Sequence, residues 1–290
     1  MTGLPLDPPS ASAAGLSLEP AALQATARRL AAIAVAAGAA IMRVYAAPIE
    51  AERKADGSPL TAADLAAEAV IAEGLARGFA GVPVISEEAT PTAAGLGAHG
   101  ETFLLVDPLD GTKEFLSRTD EFTVNIAVVA DGRPRAGVVY APALGRLWLG
   151  ALGAGAEALE VAPGAAEQGV QGVPGRPIRV RPRPARDLVA VASRSHLDPE
   201  TEAFLAGLPV GERRSIGSSL KFCLVAEGQA DVYPRFGPTM EWDTAAGQAV
   251  LEAAGGRVTL PPVGRPGGVP LSYGKADAGY RNGAFVAWGG

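Results

Sequence analysis

The sequence has one cysteine, Cys223, in 290 residues. An internal disulfide and a cysteine-built zinc cage are both excluded, and the thiol reads as a small core residue. Aromatic residues make up only 6% and charged residues 19%. There is no excess of positive charge, since 25 basic residues face 31 acidic ones and the net charge is −6. A protein that coats nucleic acid would carry the opposite sign. A small anionic substrate remains compatible, because a bound cation can invert a local field. No run approaches the roughly 18 uninterrupted apolar residues of a membrane span. Met1–Ser17 lacks a basic segment followed by an apolar block and is expected to be a disordered tail. The expected location is cytoplasmic, with peripheral association with the inner membrane left open.

What is abundant is alanine, glycine and an apolar fraction of 48%. The alanine and glycine bias resembles a GC-rich coding background. The length suits one large domain or two packed subdomains, with a boundary expected near Pro184: residues 18–184, then 185–290.

Pro20 suits a first helical position, and Ala21–Tyr45 is predicted to be a long, mostly buried helix. Thr61-Ala62-Ala63-Asp64 opens a second helix, to about Arg77, and reads as a capping-box variant with Asp64 at its third position. Val82–Ser86 is a short strand followed by Glu87-Glu88. Phe103–Val106 is a buried strand, and where it ends Asp107-Pro108-Leu109-Asp110-Gly111-Thr112 is expected to form an acidic, sharply bent loop. Lys113–Leu116 suggests one helical turn. Phe122–Ala130, an Asp131-Gly132 turn, Ala136–Tyr140 and Arg146–Leu149 form an antiparallel meander. Gly150–Pro184, with Arg176, Arg179, Arg181 and Arg183, reads as a solvated connector.

In the second half, Leu188–Ala192, Ala230–Tyr233, Val258–Leu260 and Phe285–Ala287 are predicted strands. Asp198–Leu208 is a short helix. Gly217-Ser218-Ser219-Leu220-Lys221 opens another, whose start could receive an anion. Asp243 is placed as the cap of a helix over Thr244–Ala254. Strands alternating with helices indicate a mixed α/β sheet. The expected fold class is α/β with mixed α+β character.

Glu87, Asp107, Asp110 and Asp243 would repel one another if they converged without a cation. Oxygen ligands of this kind suit Mg²⁺, and more than one such ion would make the pocket attractive to phosphate.

Asp107–Thr112 together with Trp242-Asp243-Thr244-Ala245-Ala246-Gly247 and Ala254-Gly255-Gly256 resembles the paired signature of the inositol monophosphatase family. Ser86-Glu87-Glu88 and Thr61–Asp64 fit the same pattern, and the resemblance covers about residues 20–290. Within that family the chain is most similar to the CysQ-type 3′(2′),5′-bisphosphate nucleotidases. Lys54–Thr61, Gly111–Phe115, Glu121–Ile126, Ser193–His196, Gly217–Phe222 and Tyr233–Pro238 carry this similarity.

The resemblance implies a layered α-β-α-β-α sandwich, with an antiparallel N-terminal sheet and a mixed C-terminal one. It implies two or three Mg²⁺ on Glu87, Asp107, Asp110, Asp243 and the Leu109 carbonyl. It implies that Asp64 and Thr112 orient and deprotonate water. Gly111, Thr112, Lys113, His196, Gly217 and Lys221 would meet the substrate. The implied reaction is hydrolysis of 3′-phosphoadenosine 5′-phosphate to AMP and phosphate, a by-product cleared during sulfate assimilation. An inositol-1-phosphate or sugar-bisphosphate phosphatase with the same metal core is the alternative. The partner expected is a small nucleotide bisphosphate, with no nucleic acid and no integral membrane segment. Whether the chain forms a homodimer is left open.

Overall fold

The computed structural model describes residues 16–48, 51–53, 59–89, 101–193, 198–261 and 268–290. The expected tail up to Gly15, the Lys54–Ser58 stretch, His196 and His99, the other histidine, which the sequence suggests is a surface-loop residue, lie outside the described residues. The chain begins with α1 (Pro20–Tyr45), then a small antiparallel pair, β1 (Ala51–Arg53) and β2 (Pro59–Thr61), and then α2 (Ala62–Gly78). Both helices start where the sequence places them. α1 has Pro20 at its first position, and α2 has the capping box.

A seven-stranded sheet follows in sequence order: β3 (Val84–Ser86), β4 (Thr102–Asp110), β5 (Thr123–Ala130), β6 (Arg133–Ala141), β7 (Arg146–Ala151), β8 (Gly155–Glu160) and β9 (Arg176–Ile178). The short helix α3 (Thr112–Leu116) lies between β4 and β5. The pairing is antiparallel except at one edge, where β3 runs parallel to β4. The connector expected over Gly150–Pro184 therefore needs correction, because two further strands form in it. Three of its arginines are engaged. Arg176 pairs with buried Glu227, Arg181 pairs with Asp231, and Arg183 lies 4.2 Å over the Trp288 ring.

The second half contains β10 (Leu188–Ser193), α4 (Pro199–Ala206), β11 (Val210–Ile216), α5 (Leu220–Ala226), β12 (Val232–Arg235) and β13 (Thr239–Met240). It ends with α6 (Trp242–Ala253), β14 (Arg257–Thr259), β15 (Arg281–Asn282) and β16 (Phe285–Trp288). Its main sheet has the order β11-β10-β12-β16-β14 and is mixed. The β11 edge strand was not anticipated. Its Gly-Glu-Arg-Arg run has a solvated edge pattern rather than an apolar one.

Alternation along each strand divides the core into layers. On β5, Val124, Ile126 and Val128 face α1 and α2, whereas Ala127 and Val129 face the space between the sheets. That middle layer holds α5 and α6, through Phe222, Val225, Val250 and Leu251. On the far side of the second sheet, Val232, Val286 and Trp288 meet Leu205 of α4. The result is an α-β-α-β-α sandwich, as expected. α1 is long and apolar enough to span a membrane by length and composition, but Leu30, Ile33, Val35 and Ile41 are buried in the first core layer. Each such side chain contributes about 1.5–3 kcal/mol of transfer free energy there.

The glycines have a specific packing use. A Cβ on Gly137 would lie 2.9 Å from Ala249 Cβ, and one on Gly150 would lie 2.6 Å from Val250 Cα. Residues without side chains thus let α6 settle directly on β6 and β7, which brings the start of that helix to the end of β4.

Candidate active site

Asp107 and Asp110 are three positions apart, so a regular strand would point them to opposite faces of the sheet. β4 is not regular there. Asp107 pairs with Asn125 and Asp110 with Thr123, so three steps along β4 match two along β5. This one-residue bulge turns Asp110 back to the face that Asp107 and Asn125 occupy. Pro108 has no N–H to donate to the ladder, which suits a bulge. The acidic segment is therefore a distorted continuation of the strand, not a loop after it. Gly111 follows at φ +93°, and an added Cβ would lie 3.1 Å from the Glu121 carbonyl oxygen. Only glycine takes that turn without strain.

Glu87 arrives by the parallel edge. Ser86 is in register with Val106, and the Glu87 N–H donates to the Val106 carbonyl, which sets Glu87 beside Asp107. Asp243 arrives on the first turn of α6. Its Oδ2 accepts the Met240 N–H at 2.8 Å. The expected cap position is corrected by one turn boundary: α6 starts at Trp242, Glu241 precedes it, and Asp243 lies inside the helix.

Glu87, Asp107 and Asp243 each offer a carboxylate oxygen, and these oxygens lie within 4.8 Å of one another. Burial pushes the Asp107 carboxyl well above the usual range, and the charges of Glu87, Asp110, Asp243 and Asp64 add to this. Burial raises Asp243 similarly, followed by Asp110 and Glu87. Such a donor set is all oxygen, anionic and mutually repulsive, and it fits a hard cation.

Asp110 is held differently. Its Oδ2 accepts the Ser219 N–H at 2.6 Å, the Ser219 hydroxyl at 2.7 Å and the Asn125 amide at 3.3 Å. Burial raises its pKa, while Lys221 and these donors oppose the rise. Asp64 Oδ2 accepts both the N–H and the hydroxyl of Thr61, so Asp64 caps α2 while its charge reaches Asp107. Thr112 Oγ1 donates to the Leu109 carbonyl at 3.4 Å.

A cleft of about 290 Å³ opens over Glu87, Asp107, Asp110, Thr112 and Asp243, and Asp64 is not among its lining residues. Leu109, Gly111, Thr112 and Lys113 line it with the acids, and Lys221 and Arg235 supply cationic groups. A larger groove of about 690 Å³ runs beside α1 and α2, past Arg28, Arg77 and Phe79. It lacks the acidic cluster, so chemistry rather than size selects the smaller cleft.

Two expectations change. The start of α5 was read as an anion site, but Ser219 gives its N–H to Asp110, the protein's own carboxylate. Gly217 does not line the cleft. Its N–H donates to Glu121 Oε2 at 2.8 Å, and an added Cβ would lie 2.6 Å from Glu114 Cγ. Lys221 does line the cleft, but it is buried and its Nζ donates to the carbonyls of Ser218 and Ile216. Burial lowers its pKa to about 8, with Asp110 acting in the opposite direction. Sequence reasoning gave no role to Ser219, Asn125, Glu114 or Arg235. All four lie in stretches that carry the family resemblance, and that was the available signal.

The inositol monophosphatase family model matches residues 23–281. The 3′(2′),5′-bisphosphate nucleotidase CysQ of Salmonella typhimurium is 50% identical over 224 residues, covering 77% of this chain and 85% of that protein. The protein of the same name from Haemophilus influenzae is 32% identical, over 78% of this chain and 81% of the relative. The crystal structure of CysQ from Bacteroides thetaiotaomicron superposes with a TM-score of 0.76 at 40% identity, covering 92% of this chain and 97% of that one. An inositol monophosphatase structure from Anabaena gives a TM-score of 0.69 at 29% identity, over 92% of both chains. The bulged acidic strand, the carboxylates converging on it and these likenesses have one reading: the chain belongs to the inositol monophosphatase family.

Proposed function

We propose that the chain is a Mg²⁺-dependent 3′(2′),5′-bisphosphate nucleotidase that hydrolyses 3′-phosphoadenosine 5′-phosphate to AMP and phosphate. The observation that carries the phosphatase reading is the convergence of Glu87, Asp107 and Asp243 oxygens within 4.8 Å, at the floor of a cleft with cationic groups in its wall. The identity of 50% with a CysQ nucleotidase supports the nucleotide as substrate.

Glu87, Asp107, Asp110, Asp243 and the Leu109 carbonyl would hold two or three Mg²⁺. Bound there, Mg²⁺ supplies charge neutralisation and Lewis acidity for phosphoryl chemistry. The chain's own groups do the rest. Thr112 Oγ1 and Asp64 orient the attacking water, and Asp64 takes its proton. The water oxygen bonds to phosphorus, the bond to the ribose 3′-oxygen breaks with the electron pair going to that oxygen, and the oxygen takes a proton from solvent water to leave as a hydroxyl. Gly111, Thr112 and Lys113 surround the reacting phosphate. Lys221 and Arg235 face the remainder of the nucleotide; nucleotide contacts at His196, outside the described residues, and at Gly217 rest on the family resemblance alone. The two halves of the chain, divided near Pro184, act as lobes that meet at the cleft.

The test is phosphate release from 3′-phosphoadenosine 5′-phosphate and from inositol 1-phosphate at equal Mg²⁺, with and without chelator. The nucleotide is the expected preferred substrate. A tenfold preference for the inositol ester, about 1.4 kcal/mol in transition-state energy, would overturn the nucleotidase assignment.

A further inference from the structure

Ser219 is 109 residues from Asp110 in sequence and 2% exposed, yet it touches both halves of the site. Its N–H and its hydroxyl both point at Asp110 Oδ2, at 2.6 and 2.7 Å. The same hydroxyl oxygen lies 2.8 Å from the main-chain carbonyl of Asp243. Asn125 closes the figure, with its amide 2.9 Å from Ser219 Oγ and 3.3 Å from Asp110 Oδ2. A serine hydroxyl has one proton and two lone pairs. It can donate to Asp110 or to the Asp243 carbonyl at any moment, while the Asn125 amide donates to it throughout. Ser219 is thus the shared joint between the β4 bulge and the first turn of α6.

The arrangement fixes which oxygen of Asp110 faces which partner. Asp110 is not one of the three carboxylates whose oxygens lie within 4.8 Å of one another; with Oδ2 held by the Ser219 N–H, the Asn125 amide and, in turn, the Ser219 hydroxyl, Oδ1 is the oxygen left for a cation under the metal-site reading. A carboxylate whose rotation is held by fixed donors binds a metal without first being ordered, the usual effect of groups that orient ligands. Ser219 also stands on the cleft wall, next to Ser218 and two residues before Lys221, both cleft-lining.

We infer that Ser219 is a positioning residue that orients Asp110 and joins it to the Asp243 turn, so that metal affinity at Asp110 depends on the segment that also forms the nucleotide wall. This rests on the metal-site reading proposed above, but not on the identity of the ester. Asn125 holds the serine from the opposite strand. A role confined to contacting substrate would leave metal binding in the substrate-free protein unchanged; the joint described here would not.

The experiment is Mn²⁺ titration of the full chain without substrate, followed by the paramagnetic signal of the free ion, with Mg²⁺ calorimetry alongside. The variants are Ser219→Ala, Asn125→Ala, Asp110→Asn and the double variant Ser219→Ala with Asp110→Asn. Ser219→Ala is expected to weaken the Asp110-dependent metal by about 10-fold or more, in the range seen for groups that orient metal ligands. In the Asp110→Asn background the same change is expected to have no further effect. Ser219→Cys, which keeps the N–H and a weak donor of similar shape, is expected to recover part of the affinity. Thermal melting with chelator separates misfolding from loss of orientation, and Asn125→Ala gives the same reading from the other strand.

Wild-type metal affinity in both Ser219→Ala and Asn125→Ala would overturn the inference. So would an undiminished effect of Ser219→Ala in the Asp110→Asn background. Substrate preference is read separately. Weakened metal binding with an inositol-ester preference leaves the joint standing and removes the nucleotidase reading, whereas unchanged metal binding with a nucleotide preference does the reverse.

Discussion

Thr61 and Asp64 are bonded to each other twice: Asp64 Oδ2 accepts the Thr61 N–H at 2.8 Å and the Thr61 hydroxyl at 2.6 Å. The carboxylate that caps α2 is the same one whose field reaches Asp107. Structural and chemical roles therefore share one side chain, and substitution separates them. Thr61→Ala is expected to cost about 1 kcal/mol of stability through loss of the cap. Asp64→Asn keeps a capping-competent side chain, so a melting change below that of Thr61→Ala is expected, with activity lowered by about 10²-fold or more as the proton acceptor is lost. Thermal melts and initial rates on the two variants check both statements.

Asp107 shows the cost of the site in the absence of cation. It is buried and surrounded by acids, so Asp107→Asn should raise the melting temperature of chelator-treated protein while abolishing Mg²⁺-dependent activity. A melting temperature below that of the chelated wild type would contradict this reading.

The same charges set a pH dependence. Asp107 and Asp243 have folded-state pKa values above their unfolded ones, so between those values the native state binds more protons than the unfolded state. Stability of the chelated protein should then fall as pH rises from about 4 through the raised values. Saturating Mg²⁺ should flatten that fall, since a bound cation favours the ionised forms. Melts across pH 5–8, with chelator and with Mg²⁺, give the comparison.

Arg235 lines the cleft from β12, across from the acidic floor. Arg235→Ala should raise KM for the nucleotide about 10-fold with a smaller change in kcat, as expected for a group that binds substrate and transition state alike. A loss confined to kcat would place Arg235 in the chemical step instead.

Gly247 tests the packing beneath the site. A Cβ there would lie 2.4 Å from Phe222 Cδ2, where α6 meets α5. Gly247→Ala should destabilise by about 1–3 kcal/mol, an overpacking cost, with Mg²⁺ affinity weakened if the Asp243 turn shifts. Denaturant midpoints and metal titration read the two effects.

Local signals in the sequence determined much of this protein. Pro20 and the Thr61–Asp64 box started α1 and α2, the apolar runs placed β4 to β7, and Asp131-Gly132 made its turn, because each depends on neighbouring residues only. The residue types at 87, 107, 110 and 243 were legible as cation-binding chemistry, and their spacing matched a family pattern. Tertiary structure decided the rest. Period-2 alternation alone would have pointed Asp107 and Asp110 to opposite faces, and the β4 bulge, set by pairing with β5, brought them together. Asp243 reached them because Gly137 and Gly150 let α6 lie close on the sheet, a contact between residues about 100 positions apart that no local pattern encodes. The start of α5 looked in sequence like a site for a foreign anion; folding placed Asp110 there first. The strands within Gly150–Pro184 were hidden for a similar reason, since their glycines, prolines and arginines carry weak strand propensity and gain order from partners on β7, α5 and the second sheet.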